Sequence, residues 1–286
     1  LNLGSGTVTG ALVATSNGGA ITQSTSSPLA VTGTSTLNAG TGAITLTTSG
    51  NDFGQAVSLT GGTTQITDSN ALTLGTLTTG NLTAISTGAL HLGSGTVSGT
   101  LAATSNGGAI SQSTISPLTV TGTSTLNAGS GAITLTTSGN DFGQTVGLTG
   151  GTTQISDSNA LTLGTLATGS LTATSTGALR LGSGTVTGAL VATSNGGAIT
   201  QSTGSPLTVT GTSMLNAGSG AITLADAGND FVGDVSLTGS GIALTDSNAL
   251  TIAALTLGSN SALSLNAGGT LTLAGSTVTA VDITAN

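Results

Sequence analysis

The chain repeats itself. Leu1-Asn2-Leu3-Gly4 returns as Leu90-His91-Leu92-Gly93 and again as Leu179-Arg180-Leu181-Gly182, each time 89 residues further on. Gly50-Asn51-Asp52-Phe53 returns with the same step at Gly139-Asn140-Asp141-Phe142 and Gly228-Asn229-Asp230-Phe231. Residues 1–89 and 90–178 differ at 14 positions and agree at the other 75. The third copy, 179–267, follows closely to about Leu255 and then drifts, leaving 268–286 as a divergent final coil. Tandem copies this alike point to an architecture in which one structural unit stacks on the next.

The differences between copies show which way the side chains face. Val8, Gly10, Leu12 and Ala14 return unchanged, whereas the residues between them vary as Thr9/Ser98/Thr187, Ala11/Thr100/Ala189 and Val13/Ala102/Val191. Around Val57 and Leu59 the alternating positions read Ala56/Thr145/Asp234 and Ser58/Gly147/Ser236. Fixed apolar positions alternating with exchangeable ones have period 2, the mark of a strand with one buried face. Thr, Ser and Gly are also poor helix formers. An all-β fold is predicted.

Turn-forming residues divide each copy. Ser16-Asn17-Gly18-Gly19, Asn38-Ala39-Gly40, Gly50-Asn51-Asp52 and Asp68-Ser69-Asn70 all tolerate the backbone of a tight bend. Cuts near Leu29, Phe53, Thr76 and Thr96 divide a copy into four unequal coils, each the size of one solenoid turn. We therefore expect a parallel β-helix (β-solenoid) running continuously through 1–286, with about 22 residues per coil and about 13 coils. At the strand spacing of roughly 4.8 Å this makes a rod on the order of 60 Å long. Phe53, Phe142 and Phe231 are expected in the core, and Pro28, Pro117 and Pro206 at coil ends where a missing N–H does little harm. Asn17, Asn106 and Asn195 are expected to stack as amide ladders. The chain begins at Leu1 without a visible leader and reads as an excerpt, with more solenoid expected on either side.

Composition removes most chemistry. There is no Cys, Trp or Tyr, one His and one Arg; all nine acidic residues are Asp, and the net charge is -8. Disulfides, thiolate metal sites and thiol nucleophiles are excluded, and one basic side chain cannot neutralise a phosphate backbone. No apolar stretch approaches the roughly 20 residues of a spanning helix, so no membrane insertion is expected. Yet 36% of residues are hydrophobic and mean hydropathy is +0.39, high for a disordered linker.

No catalytic, cofactor-binding or metal-binding residues are assigned, and the chain is not expected to be an enzyme. His91 and Arg180 occupy equivalent, outward positions four coils apart, too distant for a shared site. Asp52, Asp68 and their counterparts Asp141, Asp157, Asp230 and Asp246 sit beside Asn or Ser, where an Asx turn accounts for them. Asp226, Asp230 and Asp234 form the densest acidic patch, the one place where weak calcium binding is weighed, but the Ca²⁺-binding nonapeptide repeat is absent. Gly61-Gly62 lacks the Lys and helix of a phosphate loop and reads as a turn.

Two stretches carry a resemblance to a known family. Gly50-Asn51-Asp52-Phe53-Gly54-Gln55-Ala56-Val57-Ser58-Leu59, followed by Thr67-Asp68-Ser69-Asn70-Ala71-Leu72-Thr73-Leu74, is similar to filamentous-haemagglutinin-like adhesins exported by two-partner secretion. So is Asn17-Gly18-Gly19-Ala20-Ile21-Thr22-Gln23. The resemblance implies a right-handed parallel β-helix serving as the structural shaft of a secreted or cell-surface bacterial adhesin, extracellular and associated with the outer membrane. It further implies attachment to cells, hosts or biofilm matrix, with extracellular polysaccharide or a cell-surface ligand as partner. Freedom from disulfides suits threading through a pore, and a chain with one Arg and no Lys offers trypsin-like proteases almost no site. The alternatives are a self-assembling matrix or sheath fibre and, on the outward Thr-x-Thr pairs, an ice-binding solenoid.

Overall fold

A computed structural model describes residues 1–113, 115–258 and 261–274, and the backbone of 282–285. The chain is an all-β parallel β-solenoid of about 13 turns and about 20 residues per turn. The described residues hold strands and bends and no helix. Two compact units divide it, one of residues 1–144 with 149–151, the other of residues 145–148 with 152–286.

In the first unit each turn has three strand-forming faces. The stack opening with Leu12–Thr15 continues through Ser35–Asn38 and Val57–Gly61, then the second half of Leu72–Thr79, and reaches Ser94–Val97. A second stack runs from Ile21–Thr22 through Ile44–Leu46, Thr64–Asp68 and Leu82–Ser86 to Leu101–Ser105 and Ser124–Asn127. All of these pairings are parallel. Turn length varies: the turn that carries Leu12 to its partner Ser35 is longer than the one that carries Leu59 to Leu77.

The expected four whole coils per copy are corrected by this register. Ser94–Val97 contains the counterpart of Gly6–Val8, yet it lies in the stack that Leu12–Thr15 opened. Thirteen strand segments separate one copy from the next, which is four and a third turns, because Leu72–Thr79 bends across a corner and serves two faces. The second unit repeats the offset. Its stack from Thr153–Asp157 leads through Leu171–Ser175, Leu190–Ser194 and Ser213–Asn216 to Val235–Gly239, whereas the counterpart strand Gly241–Asp246 pairs on the next face with Ala221–Leu224. At about 20 residues the mean turn is thus shorter than bend signals alone suggest.

Inward residues form columns. Leu46, Ile66, Ala84, Ala103 and Leu126 lie in one, Ile155, Ala173, Ala192, Leu215 and Leu237 in another, all buried. Burying one such Leu or Ile contributes roughly 1.5–3 kcal/mol, and large and small residues mix along each column. Phe53, Phe142 and Phe231 are each 1% exposed. They are core, not a binding platform. Pro28, Pro117 and Pro206 precede the strands at Leu29, Leu118 and Leu207, and their carbonyls accept N–H bonds from Gly6, Gly95 and Gly184 on the neighbouring turn.

Corners bring backbones closer than side chains allow. A Cβ at Gly93 would lie 1.7 Å from the Gly75 carbonyl oxygen, directly at the bend that lets a short turn close. At Gly10 it would meet nothing within 4 Å. Gly93→Ala is therefore expected to destabilise by about 2 kcal/mol or more, through forced backbone displacement, and Gly10→Ala to stay within about 0.5 kcal/mol of the parent. Chemical denaturation of the two variants side by side checks this.

Candidate functional site

The most elaborate polar arrangement lies inside the solenoid. Asn51, wholly buried, faces Gln23 from the preceding turn, and the two amides exchange hydrogen bonds. Gln23 Nε2 donates to Asn51 Oδ1 at 2.6 Å, and Asn51 Nδ2 donates to Gln23 Oε1 at 2.8 Å. Asn51 Oδ1 also accepts the Leu29 N–H at 2.9 Å, and Nδ2 donates to the Leu46 carbonyl at 3.2 Å. Every hydrogen-bonding position of the Asn amide is filled. The same pair recurs as Gln112–Asn140 and Gln201–Asn229, with Leu118 and Leu207 N–H in the place of Leu29.

This pair is what sequence reasoning missed. The expected amide ladders at Asn17, Asn106 and Asn195 are absent: those residues are exposed, and they recur once per copy in a fold whose adjacent turns are about 20 residues apart. The available signal was that Gln23 and Asn51 never vary among copies although polar neighbours do. Replacing Asn51 by Ala strands the Leu29 N–H, the Leu46 carbonyl and the Gln23 amide in a dry interior. At about 1–3 kcal/mol for each unsatisfied group, Asn51→Ala is expected to lose about 3 kcal/mol or more in urea denaturation.

The carboxylates divide by environment. Asp68 is buried; its Oδ2 accepts the Phe53 N–H at 2.7 Å and its Oδ1 the Asn70 N–H at 2.7 Å, so it both closes an Asx turn and ties one turn to the one before. Asp246 does the same for Phe231 and Asn248, and Asp157 accepts from Asn159. Asp52 corrects the Asx-turn expectation. It and its counterparts Asp141 and Asp230 stand in short strands on half-buried outward positions, opposite Ala30, Thr119 and Thr208. Asp226 forms a true Asx turn with Gly228 N–H and also accepts the Ser205 N–H. Among the described residues no three His, Cys, Asp or Glu side chains come together to hold a metal ion, the Asp226, Asp230 and Asp234 patch included.

Burial pushes the Asp68 carboxyl above its ordinary 3.8, outweighing the N–H bonds from Phe53 and Asn70, and the nearby Asp52 charge adds in the same direction. The folded chain then holds this proton to higher pH than the unfolded chain does. Its contribution to stability is fully present below the ordinary carboxyl value and is lost as pH rises through the raised folded value. Between pH 3 and 7, unfolding free energy is expected to fall less steeply in Asp68→Asn than in the parent. At neutral pH the variant should be less stable by about 1–3 kcal/mol, because an amide nitrogen cannot accept the N–H it replaces an acceptor for.

The outer surface carries hydroxyls in register. Thr60, Thr78, Thr96 and Thr119 form one outward column across four turns. His91 stands outward between Thr73 and Ser111, its Nδ1 3.1 Å from Ser111 Oγ. Asn2 bridges to Thr22 in a different stack, so these two counterparts face different sides. Arg180 is exposed between Thr162 and Thr200, its Nε donating to Ser202 Oγ at 2.9 Å. Gly61-Gly62 is a corner: Gly62 N–H donates to the Gly42 carbonyl, and a Cβ there would lie 2.6 Å from the Thr41 carbonyl.

Stacked turns, apolar inward columns and buried amide pairs together define a β-solenoid repeat protein. Residues 1–60, 79–149 and 168–238 match the family described as Repeats of unknown function (DUF5649), and the chain belongs to it. Each matched stretch contains one Gln–Asn pair, while Asp68, Asp157 and Asp246 fall outside all three. No curated protein and no solved structure matches the chain.

Proposed function

We propose that this chain is the structural shaft of a secreted or cell-surface bacterial adhesin of the filamentous-haemagglutinin-like kind. Its work is to carry a binding tip, encoded elsewhere, away from the cell. The observation that carries this reading is the turn-to-turn construction: within each unit a strand pairs with the strands one turn to either side, so length is added by adding copies without altering existing contacts. Such a chain folds turn by turn as it emerges from a pore, and it needs no disulfide to do so. An outward surface of Thr, Ser and Asn with few charges and no Trp or Tyr suits a spacer better than a groove for sugar rings.

The purified 286-residue chain is expected to bind bacterial cells and matrix polysaccharide no tighter than about the micromolar range. It should also remain as single particles in electron micrographs and show no thermal hysteresis. Tighter binding would place adhesion in this segment and end the division of labour between shaft and tip. Side-by-side fibres would favour the matrix-fibre reading instead, and hysteresis the ice-binding one.

A further inference from the structure

Arg180 is the one Lys or Arg side chain in a protein of net charge -8. Its Nε–H bond to Ser202 Oγ, 2.9 Å long, fixes the guanidinium plane and leaves the two Nη groups to reach another partner. No carboxylate among the described residues is paired with it. The side chain borders a recess of about 280 Å³ ringed by Thr145, Thr162, Ser183, Ser202 and Ser205. Gly164 and Gly182 also line it, and neither position admits a side chain: a Cβ on Gly164 would lie 2.6 Å from Thr145 Cγ2, and one on Gly182 1.6 Å from the Gly164 carbonyl oxygen. The other copies place Asn2 and His91 at this position, and His91 turns to the hydroxyl of Ser111. Only the third copy sets a permanent cation among the hydroxyls.

A fixed guanidinium with open donors, surrounded by hydroxyls, is complementary to an oxyanion carried by a polyhydroxylated molecule. We propose that this recess binds an acidic saccharide, its carboxylate or sulfate on the Nη groups of Arg180 and its ring hydroxyls on the surrounding Ser and Thr. Asp226 selects among such ligands. It lines the adjoining groove, which shares Ser202 with the recess, and N–H bonds from Gly228 and Ser205 keep its carboxyl below the ordinary value and therefore charged. A second negative charge close to the first is repelled there. The ligand is accordingly one acidic sugar among neutral ones, not a polyanion, held at the millimolar affinity that a single contact without aromatic stacking supports. This site stands or falls independently of the shaft reading, which requires no ligand here.

The test is an NMR titration of the full 286-residue chain with a neutral oligosaccharide bearing one glucuronate, with its carboxyl-reduced form, and with a monosulfated form. At least one acidic form is expected to bind about tenfold tighter than the reduced form, and the tighter of the two acids identifies the oxyanion. The preference should shrink as salt is raised from about 50 to 500 mM. Arg180→Asn, which installs the residue of the first copy, should abolish the preference while circular dichroism and melting temperature stay unchanged. Equal binding of acidic and reduced forms, no binding of either acid, or an undiminished preference in a folded Arg180→Asn would overturn the proposal.

Discussion

Within each unit a turn lays its backbone on the next in parallel register, and that one pairing governs what every residue is allowed to be. A side chain has neighbours directly above and below it at the strand spacing of about 4.8 Å. Inward columns are therefore largely apolar, and the buried amides within them satisfy one another. Where corners bring two backbones together, no Cβ fits. The Gly10–Gly33 and Gly99–Gly122 contacts illustrate this: a Cβ on Gly33 or Gly122 would lie within 2.6 Å of the glycine backbone on the adjoining turn.

Thirteen strand segments per copy have a consequence for near-identical repeats. Among the described residues, counterparts in successive copies lie on successive faces. Leu101 lies between Leu82 and Ser124, and Leu190 between Leu171 and Ser213. The repeat is thus compatible with several different neighbours within itself, and equivalent outward residues in successive copies turn to successive faces. That is why Asn2 and His91 do not share a side.

The interior tolerates polarity where donors and acceptors balance. A primary amide carries both, and the Gln23–Asn51 pair uses each of the Asn51 positions. A carboxylate only accepts, so Asp68 is held by two N–H groups and still titrates upward in its dry setting. Ser35, Ser124 and Ser213 are different: each hydroxyl is buried without a partner, at the same place in all three copies, and nothing in the structure explains them.

The alternation of fixed Val8, Leu12 and Ala14 with exchangeable neighbours established strands and their buried face, because side-chain direction in a strand follows from residue parity, and the near-identical copies divided into coil-sized segments added the stacked β-solenoid. The aliphatic core, with Phe53 inside it, followed from the same parity. Turn length did not. Corners such as Leu74-Gly75-Thr76 bend within a continuous strand and carry no loop signature, so counting turn-forming residues gives four coils where the fold makes four and a third. Nor could parity reveal that Gln23 meets Asn51, or that Arg180 rests on Ser202. Those partners lie 28 and 22 residues apart, and which residues become neighbours at such separations depends on how far each turn travels before it closes, a quantity decided only when the backbones pack.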